Sequence, residues 1–337
     1  MTEDGDRDAG QEEKRSATIY DVARRAGVSH QTVARFLNGE GGIRPYNKVK
    51  VVAALEELRY RPNMAARSLA TKRTYRIGAL GFEIAGHNPG RVLQAASDAA
   101  RELGYVVEVV GLDPLDPGQL ANGVETLIRN GVEGLLITSP TVGIADELSR
   151  LRIEIPVLVD GARETDELQR RGTLFALEHL HDLGHRRIAH IAGPSQWTAA
   201  HLRRATYELF MSERAEAPMV WEGDWESRSG YTHAERVAAE ASITAVFAAN
   251  DRIALGALLR FHELGIRVPG DVSVVGFDDM PESEFFHPPL TTVRQHFDAG
   301  GRTSAARLIA MIEGRPVEAP YPEPELIVRA STGPVAT

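Results

Sequence analysis

Residues 18–38, "TIYDVARRAGVSHQTVARFLN", restrict the fold more than any other stretch of the chain. Two apolar stripes of helical period meet at a single glycine. Ile19, Val22, Ala23 and Ala26 follow the i, i+3, i+4, i+7 spacing of one helix face. Val33, Phe36 and Leu37 form a second stripe beyond Gly27, which permits the positive φ of a sharp helix–helix turn. Thr18 with Asp21 three residues on reads as a capping box, and Ser29 as the cap of the second helix. A third helix is expected from about Asn47 to Arg59, with Val49, Val52, Ala53 and Leu58 closing a small core. This is a helix-turn-helix pattern, in which the first helix braces the second and the second enters a DNA major groove. His30, Gln31 and Arg35 lie away from the apolar side; Arg suits guanine and Gln suits adenine bidentately. With Thr18, Tyr20, Ser29, Thr32 and Asn38 they make the candidate DNA-contacting set. The alternative is a surface helical hairpin within an enzyme.

Charge separates these possibilities. Residues 14–73 carry 13 Lys and Arg against 4 Asp and Glu, whereas residues 74–337 carry 24 against 37. A basic segment on an acidic body points to a polyanion-binding module on a carrier that does not bind polyanions. Residues 1–17 are polar and acidic and are expected to be a disordered tail. With no cysteine, disulfides, thiolate metal sites and thiol nucleophiles are excluded. No apolar run reaches the roughly 18–20 residues of a membrane span, and no signal-peptide pattern is present, so a cytoplasmic location is expected.

Residues 60–74, "YRPNMAARSLATKRT", hold a stretch of high helix propensity between Pro62 and a basic cluster, too short to be stable alone in water. Together with "TVARFLN", "YRPNMAARSL" resembles the lactose-repressor (LacI/GalR) family of bacterial transcription regulators. That resemblance implies hinge helices that pair on operator DNA, with Leu69 wedged between base pairs from the minor groove, and Asn63 and Ala66 on the same element. It divides the chain into a DNA-binding domain at 18–61, a hinge at 62–74 and an effector-binding body at 75–333.

The body reads independently as α/β. Continuous Val/Ile/Leu runs ("RIGALGF", "VVEVVGL", "GLLIT", "PVLVD", then "RIAHIAG", "AVFAAN", "VSVVGFDD") alternate with helical stretches, which argues for parallel sheets covered on both faces. About 260 residues exceed what one such sheet needs, so two lobes are expected, with a ligand site at the strand carboxyl ends between them. The family resemblance extends here through "EGDW", "FAAND", "GFDD" and "PPLTTVRQ" and implies a periplasmic-binding-protein-like fold. Its lobes would be about 76–182 with 296–324, and 185–293 with 325–333.

The resemblance also supplies effector positions: Trp225, Asn250, Asp278 and Gln295, an indole, two amides and a carboxylate that suit a polyol. A purely structural role as helix or turn caps is the alternative for Asn250 and Asp278. Phe82, Arg171 and His201 depart from the family pattern, and with Trp197 they are candidate contacts to a modified, aromatic or differently charged ligand. Arg203, two residues beyond His201, is expected to face elsewhere on a regular helix. No phosphate-cradling, nucleophile-elbow or zinc-protease motif occurs, and the histidines at 179, 181, 185 and 190 lack metal-ligand spacing. Neither a cofactor nor a metal is expected. The reading is a ligand-responsive repressor, not an enzyme: a homodimer without a heptad tail, binding double-stranded palindromic operator DNA under control of a sugar or related metabolite. A transporter-feeding solute-binding protein or a sugar-active enzyme would share the body but not the basic headpiece.

Overall fold

The computed structural model describes residues 17–37, 41–60, 73–82, 87–113, 116, 118–138, 140–160, 163–316 and 319–335. Asn38, Asn63, Ala66, Leu69 and the acidic tail to residue 16 lie outside the described residues. The chain forms two compact units, residues 1–74 and 75–337.

In the first unit, helix α1 spans Ile19–Ala26, α2 His30–Leu37 and α3 Pro45–Glu57. The capping box forms: the Asp21 N–H donates to Thr18 Oγ1 at 3.3 Å, and the Thr18 N–H donates to Asp21 Oδ2 at 2.9 Å. Gly27 takes a left-handed conformation with φ of 66°, where a β-carbon would be strained, and Ser29 Oγ accepts from the Thr32 N–H at 3.1 Å. Val22, Ala23, Ala26, Val33, Val51 and Ala54 close the core. The expected inward face of α3 is therefore corrected: Val49 is 70% exposed, Val52 and Ala53 also face solvent, and Val51, Ala54, Leu55 and Leu58 turn inward. Residues 49, 52 and 53 lie about two residues, or 200°, out of phase with 51, 54 and 55.

In the second unit, β1 (Arg76–Phe82), α4 (His87–Glu102), β2 (Val106–Leu112), α5 (Gln119–Arg129), β3 (Leu135–Thr138), α6 (Ile144–Arg150) and β4 (Val157–Val159) build a parallel sheet of order β2-β1-β3-β4. Helix α7 (Arg163–Asp182) leads to β5 (Ile188–Ala192), α8 (Thr198–Glu213), β6 (Met219–Glu222), α9 (Ser227–Ala239), β7 (Ala245–Ala248), α10 (Asp251–Glu263), β8 (Ser273–Asp278) and β9 (Thr291–Arg294). Helix α11 (Phe297–Ile312) returns to the first sheet, and β10 (Glu325–Ile327) closes the second, whose order is β10-β9-β8-β7-β5-β6. Only the β9–β10 pairing in that sheet is antiparallel.

The chain thus passes between sheets three times, after β4, after β9 and after α11. One boundary moves relative to expectation. Helix α7 belongs to the second lobe, because Ala176, Leu177 and Leu180 pack with Ile188, Tyr207, Phe210 and Phe277 on the second sheet. Helix α11 covers the first sheet, with Ala305, Leu308 and Ile309 against Ile77, Ala79 and Leu136.

Candidate functional site

On the first unit the N-terminal end of α2 is open: Ser29, His30 and Gln31 are exposed and Thr32 is half-buried, and Arg35 is exposed in the last turn. Tyr20 projects from α1 and lies against the His30 ring, with centroids 5.1 Å apart. Ser29 and Thr32 share a hydroxyl hydrogen bond of 2.9 Å, and Arg35 donates to the Gly41 carbonyl at 2.6 Å. Those contacts hold the cap and the arginine while leaving the His30 and Gln31 side chains outward. A helix end presenting N–H groups and unhindered polar side chains is suited to phosphate and base edges.

On the second unit a cavity of about 270 Å³ opens where the chain crosses between the sheets. Its walls come from the carboxyl ends of strands: Asp160 follows β4, Asn250 follows β7, Asp278 ends β8 and Gln295 follows β9. Parallel strands all aim their carboxyl ends one way, which is why residues distant in sequence meet there.

Arg203 organises the floor. Its side chain is 4% exposed and donates from Nε to Gln169 Oε1 at 3.0 Å and from Nη2 to Asp278 Oδ1 at 3.4 Å. The guanidinium lies 3.8 Å from the Phe277 ring centroid and 5.7 Å from that of Trp225. Asp278 also accepts from Asn88 Nδ2 at 2.6 Å and Gln295 Nε2 at 2.7 Å. It takes a φ of 106°, and Trp225 one of 68°, so both cavity residues hold left-handed backbone that side-chain-bearing residues seldom adopt. Trp225 lies over Gly193, where an added β-carbon would meet the indole at 2.5 Å. Behind this floor Asp251 accepts from Ser283 Oγ at 2.6 Å and Met280 N–H at 2.8 Å, and burial pushes its carboxyl up to about 7.

Several expected positions gather here, and others do not. Trp225, Asn250, Asp278, Gln295 and Trp197 line the cavity. Asn250 is also the cap of α10, its Oδ1 accepting from Ile253 N–H at 2.8 Å, while its Nδ2 donates to the Trp225 carbonyl at 3.0 Å. Phe82 stands behind the wall, edge-on to Trp197 at 5.9 Å, within the first-lobe core. His201 faces solvent, outside the lining. Arg203, expected to turn away, faces in. Trp197 is the extended cap before α8, and its carbonyl accepts the first helical bond, from the His201 N–H at 2.9 Å. Within α8 the buried face runs through Ala200, Arg203, Thr206, Tyr207 and Phe210. Arg171 likewise points outward to Glu323 at 2.7 Å, and Gln169 occupies the cavity side of α7. Residues 169, 172, 173 and 176 share one helix face, and 171 lies roughly 200° from the first of them.

Sequence reasoning missed Asn88, Asp160, Asp166 and Gln169. The available signal for Asp160 was its place at the carboxyl end of the apolar "PVLV" strand. The four histidines are structural neighbours of other groups: His190 stacks on Phe247 at 4.6 Å, and burial drives it down to about 3, so it is neutral. His185 meets Thr244 at 2.9 Å and Ser273 at 3.0 Å. Among the described residues no group of three or more His, Cys, Asp or Glu is placed to hold a metal ion, and no helix is long and apolar enough to cross a membrane.

Comparison with known proteins matches both units. Residues 18–63 fit the family described as bacterial regulatory proteins, lacI family, and residues 177–332 fit a periplasmic binding protein-like domain. The lactose operon repressor of Escherichia coli (strain K12) is 34% identical over 328 residues, covering 94% of this chain and 90% of the repressor. The chain belongs to the lacI family of bacterial regulatory proteins.

Other lacI-family relatives include the HTH-type transcriptional repressor PurR of Pasteurella multocida, 31% identical over 332 residues, with 94% and 98% of the two chains covered. Among solved structures, the lac repressor dimer bound to operator and the anti-inducer ONPF superposes with a TM-score of 0.79 at 33% identity, over 95% of this chain and all of that one. The transcriptional regulator CelR in complex with cellobiose gives a TM-score of 0.63 at 28% identity, over 94% and 99% of the chains. Membership makes the chain a transcriptional repressor with a helix-turn-helix DNA-binding unit and a periplasmic-binding-protein-like body.

Proposed function

We propose that this lacI-family repressor binds a palindromic operator as a homodimer and is controlled by a small sugar-like effector held in the interlobe cavity. The observation that carries the reading is the cavity itself: a buried arginine–carboxylate–amide network beside two indoles, set at the three crossings between lobes. Hydroxyls need donors and acceptors together, and sugar C–H faces pack on rings. Ligand-bound relatives support the class, since CelR was solved with cellobiose and the lac repressor with ONPF.

His30, Gln31 and Arg35 would enter the major groove, with Thr18, Tyr20, Ser29, Thr32 and Asn38 fixing register, while Asn63, Ala66 and Leu69 act from the minor groove. For the homodimer, Leu255, Leu259 and Phe285 supply support: they leave large apolar surface exposed on the second lobe, Phe285 being 79% exposed. An effector that favours one lobe angle changes the spacing of the hinges, and hinges that cannot pair do not recover their ordering entropy. Phe82, Arg171 and His201 are not proposed as direct contacts.

The test is operator binding by the full chain on genomic fragments at moderate salt, with and without a metabolite panel. One metabolite should change affinity for a specific fragment by about 5–150-fold. A chain that selects no fragment under any condition would refute the proposal.

A further inference from the structure

The charges around the cavity do not balance, and the imbalance sits on one side. Arg203 is matched by Asp278 at 3.4 Å, Arg252 by Glu226 at 2.9 Å, and His296 by Glu325 at 3.0 Å. Two lining carboxylates have no such match. Asp160, just past β4, has its backbone N–H bonded to the Ile137 carbonyl at 2.8 Å, but its carboxylate accepts no hydrogen bond and forms no ion pair among the described residues. Asp166 in the first turn of α7 has its Oδ1 buried without a hydrogen-bond partner among the described residues. The cation that acts on it, Arg170, is exposed and paired with Glu167 at 3.9 Å. Arg307 lies over the Tyr321 ring near Asp160, but its guanidinium is engaged by Glu164 at 2.6 and 3.0 Å.

Two more orphaned atoms complete the pattern. Among the described residues Asn88 Oδ1 is buried without a donor, its Nδ2 already given to Asp278, and the buried Trp197 Nε1 has no acceptor. Among the described residues three of these four unpartnered groups are thus acceptors, Asp166 Oδ1 and Asn88 Oδ1 being buried and the Asp160 carboxyl sitting on a half-buried residue, and all four belong to residues that line one cavity. A buried acceptor left unmatched costs about 1–3 kcal/mol, more when it is charged. A neutral sugar hydroxyl brings one donor to such a group; an ammonium brings three, no competing acceptor, and the missing charge.

We propose that the effector is an aminated polyol, of the hexosamine class, whose ammonium is received by Asp160 and Asp166 while its hydroxyls meet Trp197 Nε1 and the Arg203 network. This rests on the cavity being the effector site. The carboxyls behave as groups awaiting a counter-charge: burial pushes Asp160 up to about 6, and burial also raises Asp166.

The experiment uses the full chain at about pH 7, where the amines are largely protonated. Glucosamine, galactosamine and mannosamine are compared by calorimetry and thermal shift with glucose, galactose and mannose, and with the N-acetylated forms, which keep the nitrogen and lose the charge. At least one amine should bind about tenfold or more tightly than its parent and its acetyl form. The Asp160→Asn/Asp166→Asn double variant should lose that preference. The amine assignment is overturned if a parent or acetylated sugar binds as tightly, if the double variant keeps the preference, or if no amine binds. A neutral sugar that binds and alters operator affinity would overturn only the amine and leave the effector reading intact. If no sugar binds and no metabolite alters operator affinity, the effector reading falls with it.

Discussion

Arg203 shows how much one side chain can hold. It joins α8 to α7 through Gln169 and to the end of β8 through Asp278, all within a buried network. Removing one partner of a buried pair leaves the other charged and desolvated. Arg203→Ala should therefore cost about 3–5 kcal/mol in chemical denaturation, and a loss below about 1 kcal/mol would show that Asp278 relaxes to solvent. Asp160 makes the opposite case. Its carboxyl sits near 6, above the usual 3.8, so the native state holds the proton more tightly than the unfolded chain. The stability linked to that proton is present at low pH and is lost as pH rises through about 6. Asp160→Asn should accordingly stabilise the ligand-free body by about 1–3 kcal/mol near pH 7.5 and by nearly nothing near pH 4. Guanidinium unfolding at the two pH values checks it, and an equal effect at both would disconnect Asp160 from the titration. In the DNA-binding unit, Arg35→Ala should relax base preference in the half-site. Competition against half-site variants reads this directly, and an unchanged preference would remove Arg35 from base readout.

At the level of elements, caps and periodicity were readable because they depend on near neighbours. Thr18, Gly27 and Ser29 behave as their chemistry requires. Which side of a helix faces a particular neighbour is a different matter. In α3 the inward residues 51, 54 and 55 are two positions off the expected 49, 52 and 53, and in α7 and α8 Gln169 and Arg203 take the cavity positions assigned to Arg171 and His201. Each shift follows from where the helix starts and what it packs against. In α8 the helix starts at Thr198, with Trp197 as its extended cap. For the hinge, Leu69→Ala should weaken specific operator binding far more than non-specific binding, since a wedge acts only on a bent site. Equal loss on both kinds of DNA, measured by gel shift, would contradict that role.

For the whole molecule, the strand alternation announced two α/β lobes, and three chain crossings between them create the cavity. Ligand and operator, if they act through one lobe angle, must affect each other equally: whatever factor an effector applies to operator affinity, operator must apply to effector affinity. Paired titrations in both orders test this, and unequal factors would exclude a single coupled equilibrium. By itself the sequence settled the class of each unit, the helix ends of the first and the absence of thiol chemistry, because these follow from spacing, capping and composition along the chain. Tertiary structure alone decided that Asn88, Asp160, Asp166, Gln169 and Arg203 share one cavity. Their meeting depends on parallel strands ending together and on the face each helix turns inward, and neither is written in the spacing of adjacent residues.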